Sequence, residues 1–277
     1  MILGYNTNGL AHHDPFQAVE LLAEIGYRSV AITLDHGPLN PLSDGFLDQV
    51  RKMRRLLDRL QMRSVVETGA RYLLDPRAKH EPTLVSPDST ARQRRVDFLS
   101  RAVDAARELA SDCLSLWSGV VHDHSDEATV WGRLQVGLSK ILDYAGSRQV
   151  PVGFEPEPGM FIDTMARYDE LCRRLDDDRL RLSLDVGHLH CQGERPLADY
   201  VERYSGRLVN VHIEDMRAGV HDHLMFGDGE IDFAPVMRAL RNGGYRSGVH
   251  VELSRHSHVG PQAAQRAFDF LSPFMAA

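Results

Sequence analysis

Eight short apolar runs recur along the chain, separated by longer amphipathic stretches. Most of the runs lack alternating polar residues, which is typical of parallel strands covered on both faces. The pattern therefore predicts eight buried β-strands: Ile2–Asn6, Ser29–Leu34, Arg63–Glu67, Leu114–Trp117, Val152–Glu155, Leu180–Asp185, Leu208–Ile213 and Gly248–Leu253.

The stretches between the runs carry helical spacing. One example of the i, i+3, i+4, i+7 pattern is Phe233, Val236, Met237 and Leu240. Asp14 precedes Pro15, a pairing that favours a helix start, and Asp163 and Asp232 are expected to cap later helices. Gly243 and Gly244 are expected to end the helix that begins near Asp232.

Eight alternating strand and helix units predict an α/β fold with a parallel sheet. The chain has 277 residues, close to the roughly 250 that are typical of a closed (β/α)8 barrel. We therefore expect residues 1–277 to form a single (β/α)8 TIM-barrel domain. A doubly wound open sheet is the alternative.

One connection is unusually long. Residues 68–90 follow the third predicted strand, contain three prolines and show no clear helical pattern. Loops of this length are usually functional or disordered, and this one should lie at the C-terminal mouth of the barrel. We expect it to act as a lid, and its basic residues are either solvated or receive an anionic group.

Composition narrows the functional classes. Hydrophobic residues make up 43% of the chain, which is enough for a large core, and the formal net charge of −7 argues against a nucleic-acid groove. No apolar run reaches the roughly 18 residues of a membrane span, and the N-terminus reads as a strand rather than a signal peptide. Three cysteines without paired spacing favour a reducing, cytoplasmic location.

Four predicted strands end on an acid or an imidazole. Glu155, Asp185, His212 and Glu252 are separated by 30, 27 and 40 residues, each about one strand–helix repeat. Such residues converge at the C-terminal mouth of a barrel, and three carboxylates brought that close need a cation. Taken singly, each acid would more often be a cap or an ion-pair partner. The register predicts one divalent ion, with Mn²⁺, Mg²⁺, Co²⁺ and Zn²⁺ all suited to the ligands.

Glu157 competes with Glu155 for the first ligand position. Glu155 ends its strand directly, whereas Glu157 lies between two prolines that hold it extended. The position of Glu155 favours it as the ligand. Glu157 is then an acid that faces the substrate, supports the metal ligands or is simply solvated.

The strings around these ligands resemble the xylose-isomerase-like superfamily of sugar isomerases and epimerases. They are Phe154-Glu155-Pro, Leu184-Asp185-Val-Gly-His188, Val211-His212-Ile-Glu-Asp215, Val251-Glu252 and the Gly227–Phe233 turn. The resemblance covers essentially the whole chain. It implies that Glu155, Asp185, His212 and Glu252 bind one metal, and that Glu155 and Glu252 are the catalytic acid and base.

The same resemblance suggests residues that contact the substrate. His188, three residues after Asp185, matches a position that often contacts substrate, and His223 lies shortly before the glycine turn. Arg217 is expected to bind a hydroxyl, carboxylate or phosphate group. Glu67 and Trp117 end the third and fourth strands and should face the same mouth.

These features favour an isomerase or epimerase of a keto-sugar or related polyhydroxylated carbonyl compound, working by proton abstraction beside a chelated carbonyl through an enediolate. A dehydratase or lyase of an inositol-like ketone shares the same ligands and is the main alternative. An apurinic-site endonuclease and a non-catalytic metabolite sensor are weaker alternatives. The expected partner is a small carbohydrate; the substrate, the physiological metal and homo-oligomer formation are left open by the sequence.

Overall fold

The computed structural model describes residues 1–276 and shows a closed parallel barrel, as the alternating pattern predicts. Its strands run β1–β2–β3–β4–β5–β6–β7–β10 around the barrel, and β10 closes against β1. Each predicted strand is found, although several end one or two residues earlier where the chain turns into the mouth. The barrel strands are β1 (Ile2–Asn6), β2 (Ser29–Thr33), β3 (Arg63–Glu67), β4 (Leu114–Leu116), β5 (Val152–Phe154), β6 (Leu180–Asp185), β7 (Leu208–Ile213) and β10 (Gly248–Val251).

An antiparallel hairpin lies between β7 and β10 and was not predicted. Its strands are β8 (Asp215–Arg217) and β9 (Val220–Leu224). The register between them shifts within Asp215–Arg217. The hairpin adds residues to one repeat, which explains why the last two predicted ligands are 40 residues apart rather than about 30.

Helices fill the connections and cover the outside of the barrel. They are α1 (Pro15–Ile25), α2 (Phe46–Leu60), α3 (Ser89–Leu109), α4 (Glu127–Ser147), α5 (Met165–Leu175), α6 (Val186–Cys191), α7 (Leu197–Tyr204), α8 (Phe233–Asn242) and α9 (Gly260–Ala276). Within residues 1–276, none combines the length and apolar character that a bilayer span requires.

The helix N-caps are those predicted from the sequence, with one exception. Asp14 accepts a hydrogen bond from Phe16 N at 2.9 Å, and Asp232 accepts one from Ala234 N at 3.2 Å. The expectation that Asp163 caps α5 is wrong. Thr164 has the extended backbone of a cap, and its hydroxyl accepts from Arg167 N at 3.3 Å.

A buried polar layer crosses the barrel interior beneath the mouth. His250 Nδ1 donates to Asn210 Oδ1 at 2.8 Å, because an amide oxygen can only accept, and His250 Nε2 accepts from Ser29 Oγ at 2.8 Å. Burial lowers the pKa of His250 well below 6.5, so the ring is neutral. Gly4 and Gly248 make room for it, since a Cβ at either position would come within 2.3 Å of the ring.

The connection after β3 contains no helix until α3 begins at Ser89. It packs against the barrel through buried apolar residues that include Ala70, Leu73, Leu74, Leu84 and Val85. Arg95 of α3 is fully buried and donates from Nη2 to the Thr68 carbonyl at 2.7 Å. The connection is therefore a packed wall of the mouth.

Candidate metal centre and active site

A cavity of about 380 Å³ opens at the C-terminal mouth of the barrel. Acids and imidazoles line one side of it: Glu155, Glu157, His212, His221, His223 and Glu252. Trp117 and the loop after β3 line the other side, where Arg71, Lys79 and His80 contribute basic groups. The cavity therefore has one side lined by acids and imidazoles, which are typical metal ligands, and another side lined by basic groups.

The four predicted ligands converge as their spacing indicated. His212 Nδ1 lies 2.8 Å from Glu155 Oε1, 3.0 Å from Glu252 Oε2 and 4.0 Å from Asp185 Oδ2. One ligand atom from each of the four lies within 4.8 Å of the others. Parallel strands place them together, because Asp185 pairs with His212 in the ladder and Glu155 and Glu252 directly follow β5 and β10.

Two asparagines that the sequence analysis missed support this set. Asn8, just after β1, donates from Nδ2 to Glu252 Oε1 at 2.8 Å. Asn210 interrupts the apolar run of β7, is fully buried, and donates to Glu67 Oε1 at 3.1 Å and to Ser183 Oγ at 2.9 Å. A polar amide inside an otherwise apolar strand was the available signal for Asn210.

Burial and crowding strongly shift the pKa values of the acids on this side of the cavity. Burial raises the pKa of Glu155, of Glu157 and of the neighbouring Glu214 above that of a free glutamate. Although burial opposes it, the imidazoles of His188, His223 and His212 lower the pKa of Asp185 to about 2.

The centre therefore fits a divalent cation. Burial also opposes the charged form of His212, yet the carboxylates of Glu155, Glu67 and Glu252 raise its pKa well above 6.5. Asp185 Oδ2 is buried and has no hydrogen-bond partner within residues 1–276. Unpaired buried oxygen and mutually repelling carboxylates are what a bound divalent cation would satisfy.

Glu155 and Glu157 have different neighbours in the structure. Glu155 belongs to the four-residue set with Asp185, His212 and Glu252, whereas Glu157 is grouped only with Glu155 and His188. Glu157 Oε1 lies 3.7 Å from His221 Nε2, and Glu157 Oε2 lies 3.9 Å from His188 Nε2. The geometry therefore favours Glu155 as the ligand beside Asp185.

Three histidines form a second cluster beside the first. His188 is buried on α6, and His221 and His223 come from β9. One ring nitrogen from each lies within 4.8 Å of the others. The sequence singled out His188 and His223 as substrate contacts, and the cavity is lined by His223 and His221 but not by His188.

The remaining predicted contacts differ in their placement. Glu67 and Trp117 line the cavity; Trp117 lies over the Arg95 guanidinium, with 4.5 Å between the guanidinium carbon and the ring centroid. Arg217 does not reach the cavity. It is exposed and donates to the Asp228 carbonyl at 3.1 Å. The shifted register of the hairpin turns Arg217 outward while Asp215 points inward.

Asp215 anchors the hairpin that carries the two cavity histidines. Its buried carboxylate accepts hydrogen bonds at 2.9 to 3.1 Å from four backbone nitrogens, those of Met216, Gly227, Gly229 and Ile231. Four donors on one carboxylate fix the hairpin and the glycine turn relative to β7. The sequence analysis quoted Asp215 within its motif but gave it no role.

Comparison with known proteins places this geometry in a family. Residues 19–274 match the family described as xylose isomerase-like TIM barrel. An inosose dehydratase of Lacticaseibacillus casei is 32% identical over 155 residues, 50% of this chain and 51% of that protein. The chain thus aligns with about half the length of the first curated relatives it matches. The L-ribulose-5-phosphate 3-epimerase UlaE of Escherichia coli (strain SMS-3-5 / SECEC) is 22% identical over 94% of this chain and 89% of its own.

Solved structures show the same fold. A structure of L-ribulose 3-epimerase superimposes with a TM-score of 0.79 at 16% identity, covering 99% of this chain and 94% of that one. The IOLI protein with a bound zinc atom gives 0.78 at 16% identity, covering 100% and 98%. The family match covers well over half of the sequence. This chain belongs to the xylose isomerase-like TIM barrel family.

Proposed function

We propose that the chain is a divalent-metal-dependent isomerase or epimerase of a keto-sugar or a related polyhydroxylated carbonyl compound. One observation carries the proposal: the carboxylates of Glu155 and Glu252 lie 2.8 and 3.0 Å from the same nitrogen of His212, at the floor of a cavity large enough for a small sugar. The epimerase names of several relatives support the same reaction class.

The cation would be held by Glu155, Asp185, His212 Nδ1 and Glu252. When bound, it would acidify the hydrogen next to a chelated carbonyl. Oxygen ligands with one imidazole suit Mn²⁺, Mg²⁺, Co²⁺ or Zn²⁺, and we favour Mn²⁺ because the set is rich in carboxylates. The zinc atom named for one structural neighbour is consistent with a divalent ion at this site.

The two glutamates are positioned to move protons. Glu155 and Glu252 reach His212 from β5 and β10, on opposite sides of the ligand set, so each can face a different side of a bound substrate. A carboxylate held beside the carbonyl can take up a proton and return it. Trp117 would then contact the sugar from the opposite wall of the cavity, and Glu67 from beside His212.

Dehydration of an inosose-like ketone is the second candidate. It is favoured by the 32% identity to an inosose dehydratase over half of the chain. Removal of the same α-hydrogen, followed by departure of a β-hydroxyl as water, needs the same base. Free cysteines at positions 113, 172 and 191 support the reducing, cytoplasmic location proposed for either enzyme.

The nuclease and sensor alternatives find less support. Glu67 and Trp117 stand where histidines would be needed for a three-metal nuclease centre, and the formal charge of −7 disfavours a DNA-binding groove. A sensor without catalysis would be expected to have lost a ligand, whereas all four ligands converge.

Isotope exchange tests the proposal directly. Protein loaded with Mn²⁺ is incubated in D₂O with L-ribulose 5-phosphate, D-allulose or an inosose, and loss of the α-hydrogen is followed by ¹H NMR. Exchange accompanied by a new sugar isomer indicates epimerisation. The ultraviolet absorbance of an unsaturated ketone indicates dehydration instead.

Variants identify the proton carriers. Glu155→Gln and Glu252→Gln should each slow exchange by roughly 10²- to 10⁴-fold, as expected when a general acid or base is removed. Glu24→Gln changes an exposed glutamate of α1 and should leave the rate unchanged. Absence of exchange with every substrate in the wild-type protein would rule the proposal out.

A further inference from the structure

A buried polar network runs through the barrel interior and ends at the predicted ligand His212. Its members are Ser29 on β2, His250 on β10, Asn210 on β7 and Glu67 at the end of β3. All of these side chains are buried, and each is hydrogen-bonded to the next. The network therefore connects the lower barrel interior to the candidate metal centre.

Strand register and one glycine bring these side chains together. Gly4 of β1 pairs with His250 on one side and with Ser29 on the other. Because Gly4 has no side chain, the imidazole of His250 crosses β1 and reaches Ser29 Oγ at 2.8 Å. Asn210 precedes His212 by two residues on β7, so both side chains point to the same face of the strand. Asn210 consequently lies directly beneath the predicted ligand.

The hydrogen bonds of the network all have a defined direction. The carboxylate of Glu67 can only accept, so Asn210 turns its Nδ2 amino group toward Glu67 Oε1, at 3.1 Å. Asn210 Oδ1 then faces His250 Nδ1 at 2.8 Å, and an amide oxygen can only accept, so this nitrogen carries the proton. His250 Nε2 in turn accepts from the Ser29 hydroxyl. The two ends of the network therefore require the same orientation of the Asn210 amide.

The opposite orientation of this amide would leave buried groups unpaired. It would place Asn210 Oδ1 against Glu67 Oε1, two acceptors about as close as the present 3.1 Å, and would take a donor away from Ser183 Oγ. An unpaired buried acceptor is costly, whereas apolar side chains of similar shape could replace the whole network at little cost in stability. Stability alone therefore gives no reason for the network, and its connection to His212 does.

We propose that His250 is a positioning residue of the candidate metal centre. It holds the amide of Asn210 in the one orientation that supports Glu67. Glu67 in turn accepts the Nε2 proton of His212 at 2.9 Å, so that Nδ1 of this ring faces the cation. The inference rests on the proposed function, because the choice of nitrogen matters only when a cation binds at His212.

The tautomer of His250 tests the first step without any metal or substrate. Long-range ¹H–¹⁵N correlation spectra of the metal-free protein distinguish protonated from unprotonated ring nitrogens, and the His250→Leu variant identifies the His250 signals by their loss. We expect a proton on Nδ1 and a lone pair on Nε2. The opposite tautomer would mean that the Asn210 amide is reversed, and it would overturn the proposal.

Metal affinity tests the effect on the centre. His250→Leu removes the donor to Asn210, so the Kd for Mn²⁺ by calorimetry should rise about 10-fold, the lower end of the range for partners of metal-bound histidines. His250→Asn can present an N–H close to the place of Nδ1 and should restore most of the affinity. Should His250→Leu fail to fold, His250→Gln takes its place, because its longer amide reaches toward Ser29 and leaves Asn210 without a donor.

Two further variants separate positioning from a general loss of stability. Val249→Ala leaves a cavity beside His250 on the same strand, but Val249 is buried on the opposite face, so the protein should be less stable while its Kd for Mn²⁺ is unchanged. The double variant Glu67→Gln/His250→Leu should bind Mn²⁺ no more weakly than Glu67→Gln alone, because both substitutions interrupt one network. Additive losses of affinity would contradict a route through Glu67.

The possible failures of the two proposals are distinguishable. An equal Kd for Mn²⁺ in the wild-type protein and in His250→Leu overturns the positioning role and leaves the isomerase proposal standing. Failure of isotope exchange in a protein that binds Mn²⁺ overturns only the isomerase proposal. Wild-type protein that binds no divalent cation overturns both.

Discussion

His212 Nε2 lies 2.9 Å from Glu67 Oε1, and this contact determines which nitrogen of the imidazole faces the candidate metal centre. The carboxylate accepts the Nε2 proton, which leaves Nδ1 to face Glu155, Asp185 and Glu252. Carboxylate–histidine–metal arrangements orient the ring and increase its basicity. Glu67 therefore acts on His212 as well as lining the cavity.

Replacing this carboxylate should weaken metal binding while the fold persists. Glu67→Gln removes the charge that supports His212 Nε2–H, so the Kd for Mn²⁺ should rise about 10- to 100-fold, as for other partners of metal-bound histidines. Isothermal titration calorimetry measures the change, with Glu24→Gln as a surface control. An unchanged Kd in a folded variant would contradict the orienting role.

The stability of the metal-free protein should decrease as the pH rises from 6.5 to 8. Burial raises the pKa of Glu155 to about 8, and the surrounding carboxylates raise that of His212 despite its burial. The folded chain holds these protons more tightly than the unfolded chain, so their contribution is lost as the pH rises through the folded pKa values. The neutral histidines His188 and His250 have lowered pKa values and destabilise the fold only below pH 6.5.

Thermal melts across this pH range test whether the stability falls as the pH rises. With chelator the melting temperature should fall between pH 6.5 and 8, and with saturating Mn²⁺ the fall should disappear, because the cation replaces the protons. Chelated protein that becomes more stable over this interval would contradict the prediction.

Gly248 should be intolerant of a side chain. A Cβ there would meet His250 Cε1 at 2.3 Å and Ser29 Oγ at 2.7 Å, both inside the packed barrel. Gly248→Ala should lower the free energy of unfolding by about 1–3 kcal/mol through overpacking. The control Gly132→Ala lies in α4 with no atom near the new Cβ, and it should raise stability by about 0.5–1 kcal/mol. Urea denaturation measures the free energy of unfolding of both variants. Equal changes in the two would refute the steric argument.

Asp215 should be essential to the hairpin. Asp215→Asn replaces one acceptor oxygen with an NH₂ group that faces two backbone N–H donors, so the free energy of unfolding should fall by at least about 2 kcal/mol. Asp228→Asn alters an exposed acid of the same turn and should change stability by less than about 0.5 kcal/mol. Hydrogen exchange at Gly227 and Gly229 should rise in the first variant only, and equal protection in both would contradict the anchoring role.

The sequence predicted the barrel and the convergence of four candidate ligands because both follow from a repeating unit. Once each strand ends on an acid or imidazole, parallel topology alone brings Glu155, Asp185, His212 and Glu252 together. The longer interval before Glu252 reflects the hairpin, whose short polar strands lack the apolar pattern that reveals buried strands. Periodicity therefore identified the barrel but not its insertion.

Side-chain direction was less predictable. Arg217 follows Asp215 by two residues and would share its face in a regular strand, yet the shifted register exposes Arg217. His188 is covered by the hairpin, which spacing along the chain cannot show. The role of Asn8 depends on a contact across 244 residues, between the segments that follow the first and last barrel strands.

The predicted ligands stand in or directly after four neighbouring strands, β5, β6, β7 and β10, while the long connection after β3 and Trp117 after β4 form the facing wall. In the proposed enzyme, the reaction chemistry and the choice of substrate would therefore lie in different arcs of one ring. Natural selection, or a directed-evolution library confined to the loops after β1 to β4, can change what enters the cavity without altering a single ligand. The barrel is in this sense divided into one arc that carries the predicted ligands and another arc that shapes the entrance of the cavity.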